Sequence, residues 1–216
     1  MDPLIFIDTN ILLDFYRDPG QRKYASLLKG IKEIQERLIL TSQIEAEFKA
    51  NRQKRIIESI AGLRWPSDIN LSVPGLLSDA DSAKKIEQLK KEIRMRCDKL
   101  KVSLEDILCS PDDHDPVWKV LEPIFSKDSE YNLNFSHPKR KEIEQIALER
   151  YQKGQPPRKV QDHSIGDAIS WEWILECSKK SQRDVIVVSR DSDYGLRLND
   201  SWILNDWLKS EFKIRA

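Results

Sequence analysis

The chain alternates between short apolar runs that end in acid and longer stretches with helical spacing. Leu4-Ile5-Phe6-Ile7 is a continuous apolar run that stops at Asp8-Thr9-Asn10. Such a run, rich in β-branched and aromatic residues, predicts a strand buried on both faces of a parallel sheet. Ile11 to Tyr16 predicts a short helix, stopped by the turn signal Asp18-Pro19-Gly20. Tyr24, Leu27, Leu28, Ile31 and Ile34 recur at helical spacing and give an amphipathic helix over residues 21–37. Leu38-Ile39-Leu40-Thr41 is a second strand, with Ser42 placed to cap a helix that starts near Gln43. Strand, helix, strand, helix is the rhythm of an α/β sheet with right-handed crossovers.

From residue 64 to about 140 that rhythm breaks. Trp65-Pro66, Val73-Pro74-Gly75 and Ser110-Pro111-Asp112-Asp113 punctuate the stretch, with no convincing strand between them. Ile86, Leu89, Ile93, Cys97, Leu100 and Leu104, three or four apart, predict a helix of several turns. The pattern reads as one domain over residues 1–216 with a helical insertion at 64–140. A helix over about 138–152 carries Ile143, Ile146 and Ala147 on one face. Ala168 to Leu175 is apolar on nearly all sides and predicts a central, buried helix. Asp184 to Ser189 predicts a further strand running into Arg190-Asp191-Ser192-Asp193, and Trp202-Ile203-Leu204 then Asn205 to Phe212 predict an edge strand and a closing helix.

Acidic residues recur at equivalent points of this pattern. Asp8 and Asp191 follow apolar strands, Glu45 and Glu47 open the third predicted helix, and Asp167, preceded by Gly166, opens the buried one. Each has a structural reading, since Asp favours N-caps and early acids suit the helix dipole; Ser164 is an alternative cap beside Asp167. Helix phase leaves Glu45 and Glu47 equivalent, because they flank the Ile44/Phe48 face on opposite sides. Their recurrence is the stronger signal, because the carboxyl ends of parallel strands share one crevice. Converging carboxylates are costly to bury unless a cation joins them. Hard oxygen donors without thiolate or imidazole select Mg²⁺ or Mn²⁺, and such a centre suits hydrolysis of phosphodiesters. Asp112-Asp113-His114-Asp115 also looks like a ligand cluster, but Pro116 and the apolar residues after it make it a turn with an acidic helix start.

Composition narrows the setting. Lys+Arg and Asp+Glu balance at 36 each, so nucleic-acid binding would rest on local patches. The most basic is residues 84–101, with eight basic residues against Glu87, Glu92 and Asp98, a candidate backbone-binding surface or a solvated helix face. Cys97, Cys109 and Cys177 lack CxxC spacing, which fits free thiols in a reducing compartment. With no signal-peptide pattern and no membrane-length apolar run, a cytoplasmic location without a membrane is expected.

Asp8-Thr9-Asn10, Thr41-Ser42-Gln43-Ile44-Glu45-Ala46-Glu47-Phe48, Gly166-Asp167-Ala168-Ile169 and Ser189-Arg190-Asp191-Ser192-Asp193-Tyr194 resemble, in order, four motifs of the PIN-like nucleases. Pro156-Pro157, Asp162 and Trp171 are similar to a longer subgroup of that family. The resemblance covers roughly the first and last 60 residues and favours Glu47 over Glu45. It implies a three-layer α/β/α sandwich with a central, mainly parallel sheet, and a metal-dependent ribonuclease. In that reading Asp8, Asp167 and Asp191 hold Mg²⁺ or Mn²⁺, Asp193 helps, and Glu47 is a ligand or orients the attacking water. Thr9, Asn10 or Ser189 would position water around the metal, and His163 is a lesser candidate for proton transfer. RNA is the expected nucleic acid in preference to DNA. A protein partner or inhibitor and a homo-oligomer are compatible with the family, whose folds serve toxin–antitoxin systems, phage defence and RNA processing. The rivals are a PIN-like scaffold that binds without cutting, a DNA-directed or structure-specific nuclease, and a phosphatase of haloacid-dehalogenase type. That last class wants a second Asp where this chain has Asn10.

Overall fold

A computed structural model of the chain describes residues 2–17, 24–63, 72–158, 164–199 and 201–216. The Asp18-Pro19-Gly20 turn, Trp65-Pro66, Asp162 and His163 lie outside the described residues. In chain order the elements are β1 (Leu4–Ile7), α1 (Thr9–Leu13), α2 (Tyr24–Glu33), β2 (Leu38–Thr41), α3 (Ser42–Gly62), α4 (Asp81–Cys109), α5 (Pro111–His114), α6 (Pro116–Phe125), β3 (Asn132–Leu133), α7 (Arg140–Gln152), α8 (Gly166–Ser181), β4 (Val185–Val188), β5 (Gly195–Leu198), β6 (Ser201–Leu204) and α9 (Asp206–Arg215). Two compact units emerge, one formed by Met1–Arg52 with Val120–Ala216, the other by Gln53–Lys119.

The first unit holds a four-stranded, all-parallel sheet in the order β3-β2-β1-β4. β1 lies in the middle, with Leu4 and Phe6 fully buried, as its uninterrupted apolar run requires. β1 and β4 are parallel neighbours, so the acids that follow them, Asp8 and Asp191, emerge at the same end of the sheet. β3 is a strand that hydropathy did not announce. It is two residues long, and Asn132 is buried because its side-chain amide donates to the carbonyls of Phe125 and Lys127, both at 3.0 Å. β6 pairs antiparallel with β5 in a separate two-stranded sheet, so the expected edge strand is half of a hairpin and not part of the central sheet. Gly195 opens that hairpin where any Cβ would lie 2.4 Å from the Ile203 carbonyl oxygen, a contact only glycine avoids.

α8 is the buried helix the sequence predicts, with Trp171, Ile174 and Leu175 almost entirely enclosed. It also encloses Glu172, whose side chain is 1% exposed. Arg150 of α7 donates its Nε to Glu172 at 2.7 Å, and Arg215 of α9 donates Nη2 to the other carboxylate oxygen at 2.7 Å. Glu211 joins them, bonded to Arg150, to Arg215 at 2.8 Å and to the Trp171 indole at 2.9 Å. Burial alone would raise the Glu211 carboxyl, but the hydrogen bonds from Arg150, Trp171 and Arg215 outweigh it and hold the group below the usual carboxylate range. Three helices are thereby fixed by one enclosed ion cluster.

The second unit is helical. α4 runs 29 residues, and its basic side chains partly answer acids one turn away: Lys90 with Glu87 and Arg96 with Glu92, both at 2.7 Å. At Asp112-Asp113-His114-Asp115 the helix-start reading holds. Asp115 accepts from the amides of Val117 and Trp118 at 2.9 and 3.1 Å, and Asp112 accepts from the Trp118 indole at 2.7 Å.

Candidate metal centre

Asp8 sits at the N-cap position of α1 with extended backbone, yet its side chain makes no capping bond. The carboxylate instead accepts from Asn10 Nδ2 at 2.7 Å and from Ser189 Oγ at 2.5 Å. Ser189 is a bridge between two strand ends, because its Oγ also accepts from the Asp191 amide at 2.9 Å. Asp191 turns its Oδ1 onto the Asp193 amide at 3.1 Å, which folds the loop after β4 back on itself.

α3 delivers its two glutamates to different places. Thr41, and not the expected Ser42, caps the helix: its Oγ1 accepts from the Ile44 amide at 3.3 Å, while Ser42 accepts from Arg140. Glu45 faces outward and pairs with Lys49 at 2.6 Å. Glu47 accepts from Thr9 Oγ1 at 3.2 Å and from Gln43 Nε2 at 2.9 Å. It lies against the start of α8, where a Cβ on Gly166 would come within 2.9 Å of Glu47 Oε1 and 2.8 Å of Gln43 Cγ. A side chain at position 166 would therefore have to push Gln43 and Glu47 from their places. Asp167 is in the first turn of α8, whose N-cap position is held by Ile165, and Ser164 accepts from the Gly166 amide at 3.2 Å.

Asp167, Asp191 and Asp193 each bring a carboxylate oxygen to within 4.8 Å of the other two. Asp8 and Glu47 stand outside that tight triad, Asp8 tied to it through Ser189. All the same, the acids share a neighbour. The Tyr194 phenol is pushed well above its usual range, first by burial and then by the charges of Asp167, Asp8, Asp191 and Glu47. Its ring packs between Phe6 and Trp171, with centroids 6.1 and 6.3 Å away. Its hydroxyl is buried without a hydrogen-bond partner among the described residues, as is Asn10 Oδ1. Such orphaned atoms are rare in folded proteins and point to an ordered water or an ion. Hard carboxylate donors around a neutral phenol fit a hydrated divalent cation, and no described thiol or imidazole enters the triad. Tyr194 is the residue the sequence pattern left without a role; its position one residue after Asp193 was the available signal.

The family model described as PIN domain matches residues 5–194. The chain belongs to the PIN-domain family. It carries the α/β/α architecture of that family, with the parallel sheet at its centre. PIN domains are generally nucleases that act on nucleic acid and typically use divalent metals. Comparison with curated proteins and with solved structures gives no match. No described helix of this PIN domain is long and apolar enough to cross a membrane.

Proposed function

We propose that this PIN domain is a metal-dependent nuclease that hydrolyses phosphodiester bonds, with RNA as its substrate in preference to DNA. The observation that carries the reading is the triad of Asp167, Asp191 and Asp193, with carboxylate oxygens within 4.8 Å of one another. Asp8, Asp167 and Asp191 would hold Mg²⁺ or Mn²⁺, with Asp193 as helper. When bound, the cation supplies an acidified water and a counter-charge for the developing oxyanion.

The chain's own groups do the rest. Thr9 and Gln43 hold both oxygens of Glu47 in place, so its carboxylate can accept the hydrogen bond of the attacking water without reorganising. Asn10 and Ser189 both donate to Oδ2 of Asp8 and so fix its carboxylate. The raised Tyr194 phenol keeps its proton and adds no further negative charge among the acids.

The test incubates the chain with single-stranded RNA, single-stranded DNA and structured substrates in Mn²⁺ or Mg²⁺, beside Asp8→Asn and Asp167→Asn. Metal-dependent cleavage of RNA that both substitutions abolish is expected. Cleavage surviving both would overturn the assignment, binding without cleavage would make the chain a scaffold, and a preference for DNA would change the substrate class.

A further inference from the structure

β4 is an outer strand of the central sheet, and no strand among the described residues pairs with its outer edge. The amides of Leu4 and Asp8 donate to the carbonyls of Asp184 and Val188, so even-numbered residues of β4 face β1 and Val185 and Val187 face away. The outward amide and carbonyl groups of Val185 and Val187 have no partner among the described residues. Open groups on an edge strand are a ready template for another hydrogen-bonding partner. Val185 and Val187 line a cleft of about 460 Å³ together with Trp202 and Ile203 of the β5–β6 hairpin and with Asp191 and Tyr194. Trp202 is 52% exposed.

We propose that this cleft receives the nucleobase next to the scissile phosphate, stacked on Trp202 and hydrogen-bonded to the open edge of β4; this rests on the nuclease reading above. The cleft and the acidic site share Asp191, so a phosphodiester held there places its neighbouring nucleoside beside the cleft. An acceptor at Val185 and a donor at Val187 lie side by side on the edge. They complement the donor and acceptor that every base presents on its Watson–Crick edge. The indole supplies the apolar platform on which unpaired bases stack in any sequence. An added peptide strand suits the edge less well, since only two residues of β4 face outward, about 7 Å apart. The site therefore selects single-stranded substrate, because a paired base cannot offer that edge.

The experiment compares the full chain, Trp202→Ala and Trp202→Phe on a single-stranded RNA 12-mer carrying one abasic nucleotide, moved along it in turn. Trp202→Ala should raise KM roughly tenfold, the scale of losing one stacked base, with kcat little changed, and Trp202→Phe should recover most of that loss. One abasic position should do the same to the wild type and add nothing in Trp202→Ala. An unchanged KM in Trp202→Ala, or an abasic penalty of the same size in both proteins, would overturn the cleft. If the wild type cuts nothing, the nuclease reading fails, and the cleft is judged by equilibrium binding of the same oligomers. There, position-specific loss in the wild type that vanishes in Trp202→Ala supports it, and equal or no binding by the two proteins overturns it.

Discussion

Asp167 and Glu172 stand five residues apart on one helix, and the fold treats their charges in opposite ways. Glu172 is enclosed and answered in full by Arg150 and Arg215. Asp167 is held half-buried beside two more carboxylates. Nature spends two arginines, from α7 and α9, to neutralise the first. Around the second, Asp8 and Glu47 are steadied by neutral donors, the Asn10 and Gln43 amides and the Ser189 and Thr9 hydroxyls. Neutral donors orient a carboxylate but leave its charge available. One cluster holds helices together; the other is the one we propose holds a cation.

Substitution should separate the two roles sharply. Asp167→Asn should lower metal-dependent turnover by about a thousandfold, the upper range for removing one transition-state stabiliser, while melting temperature stays or rises because like charges are relieved. Glu172→Gln should do the reverse. Stripping one partner from an enclosed ion cluster costs about 3–5 kcal/mol, visible as a large fall in melting temperature, with the folded fraction still active. A thermal melt and a single-turnover assay on each variant check both. Loss of stability in Asp167→Asn with turnover intact would reverse the comparison.

Metal addition sharpens it next. A ligand at a hundred times its Kd stabilises by about 2.7 kcal/mol. Mn²⁺ or Mg²⁺ should therefore raise the melting temperature of the wild type and of Glu172→Gln, and chelation should reverse the rise. Asp167→Asn should show no such shift. An equal shift in all three proteins would place the cation elsewhere.

The two regions were unequally legible. Asp8 and Asp191 stand out because an apolar run that stops at a carboxylate is a local signal, visible in four to six residues, and Asp167 because it opens a helix that is apolar on nearly all sides. Glu172 gave no such signal: it lies between Trp171 and Trp173, and its arginine partners come from 22 and 43 residues further off in the chain. Helix phase could not separate Glu45 from Glu47. The deciding groups are Lys49, which draws Glu45 outward, and Thr9 and Gln43, which hold Glu47. β3 was hidden because two residues carry no periodicity, and Asn132 contributes through its buried amide rather than through hydropathy. β6 looked like an edge strand because sequence shows that a strand exists, not which sheet it joins, and its partner β5 was not read at all.

Trp171 links the regions, with its indole N–H on Glu211 and its ring edge-on to Tyr194. That makes Tyr194→Phe the finest probe. The phenol hydroxyl is buried and lacks a partner among the described residues, and an unsatisfied buried group costs about 1–3 kcal/mol. Without metal, the Phe variant should be more stable by about 1 kcal/mol, a small upward shift in a chemical melt. The ring and its contacts with Phe6 and Trp171 are kept, so the ion cluster on the far side of Trp171 should not respond. With saturating Mn²⁺ the advantage should shrink or vanish, because water around a bound cation would give the wild-type hydroxyl its missing partner. An advantage of the same size in both buffers would mean that the hydroxyl faces packing rather than the acidic site. The difference between the two melts thus reads whether Tyr194 belongs with Asp167 or with Glu172.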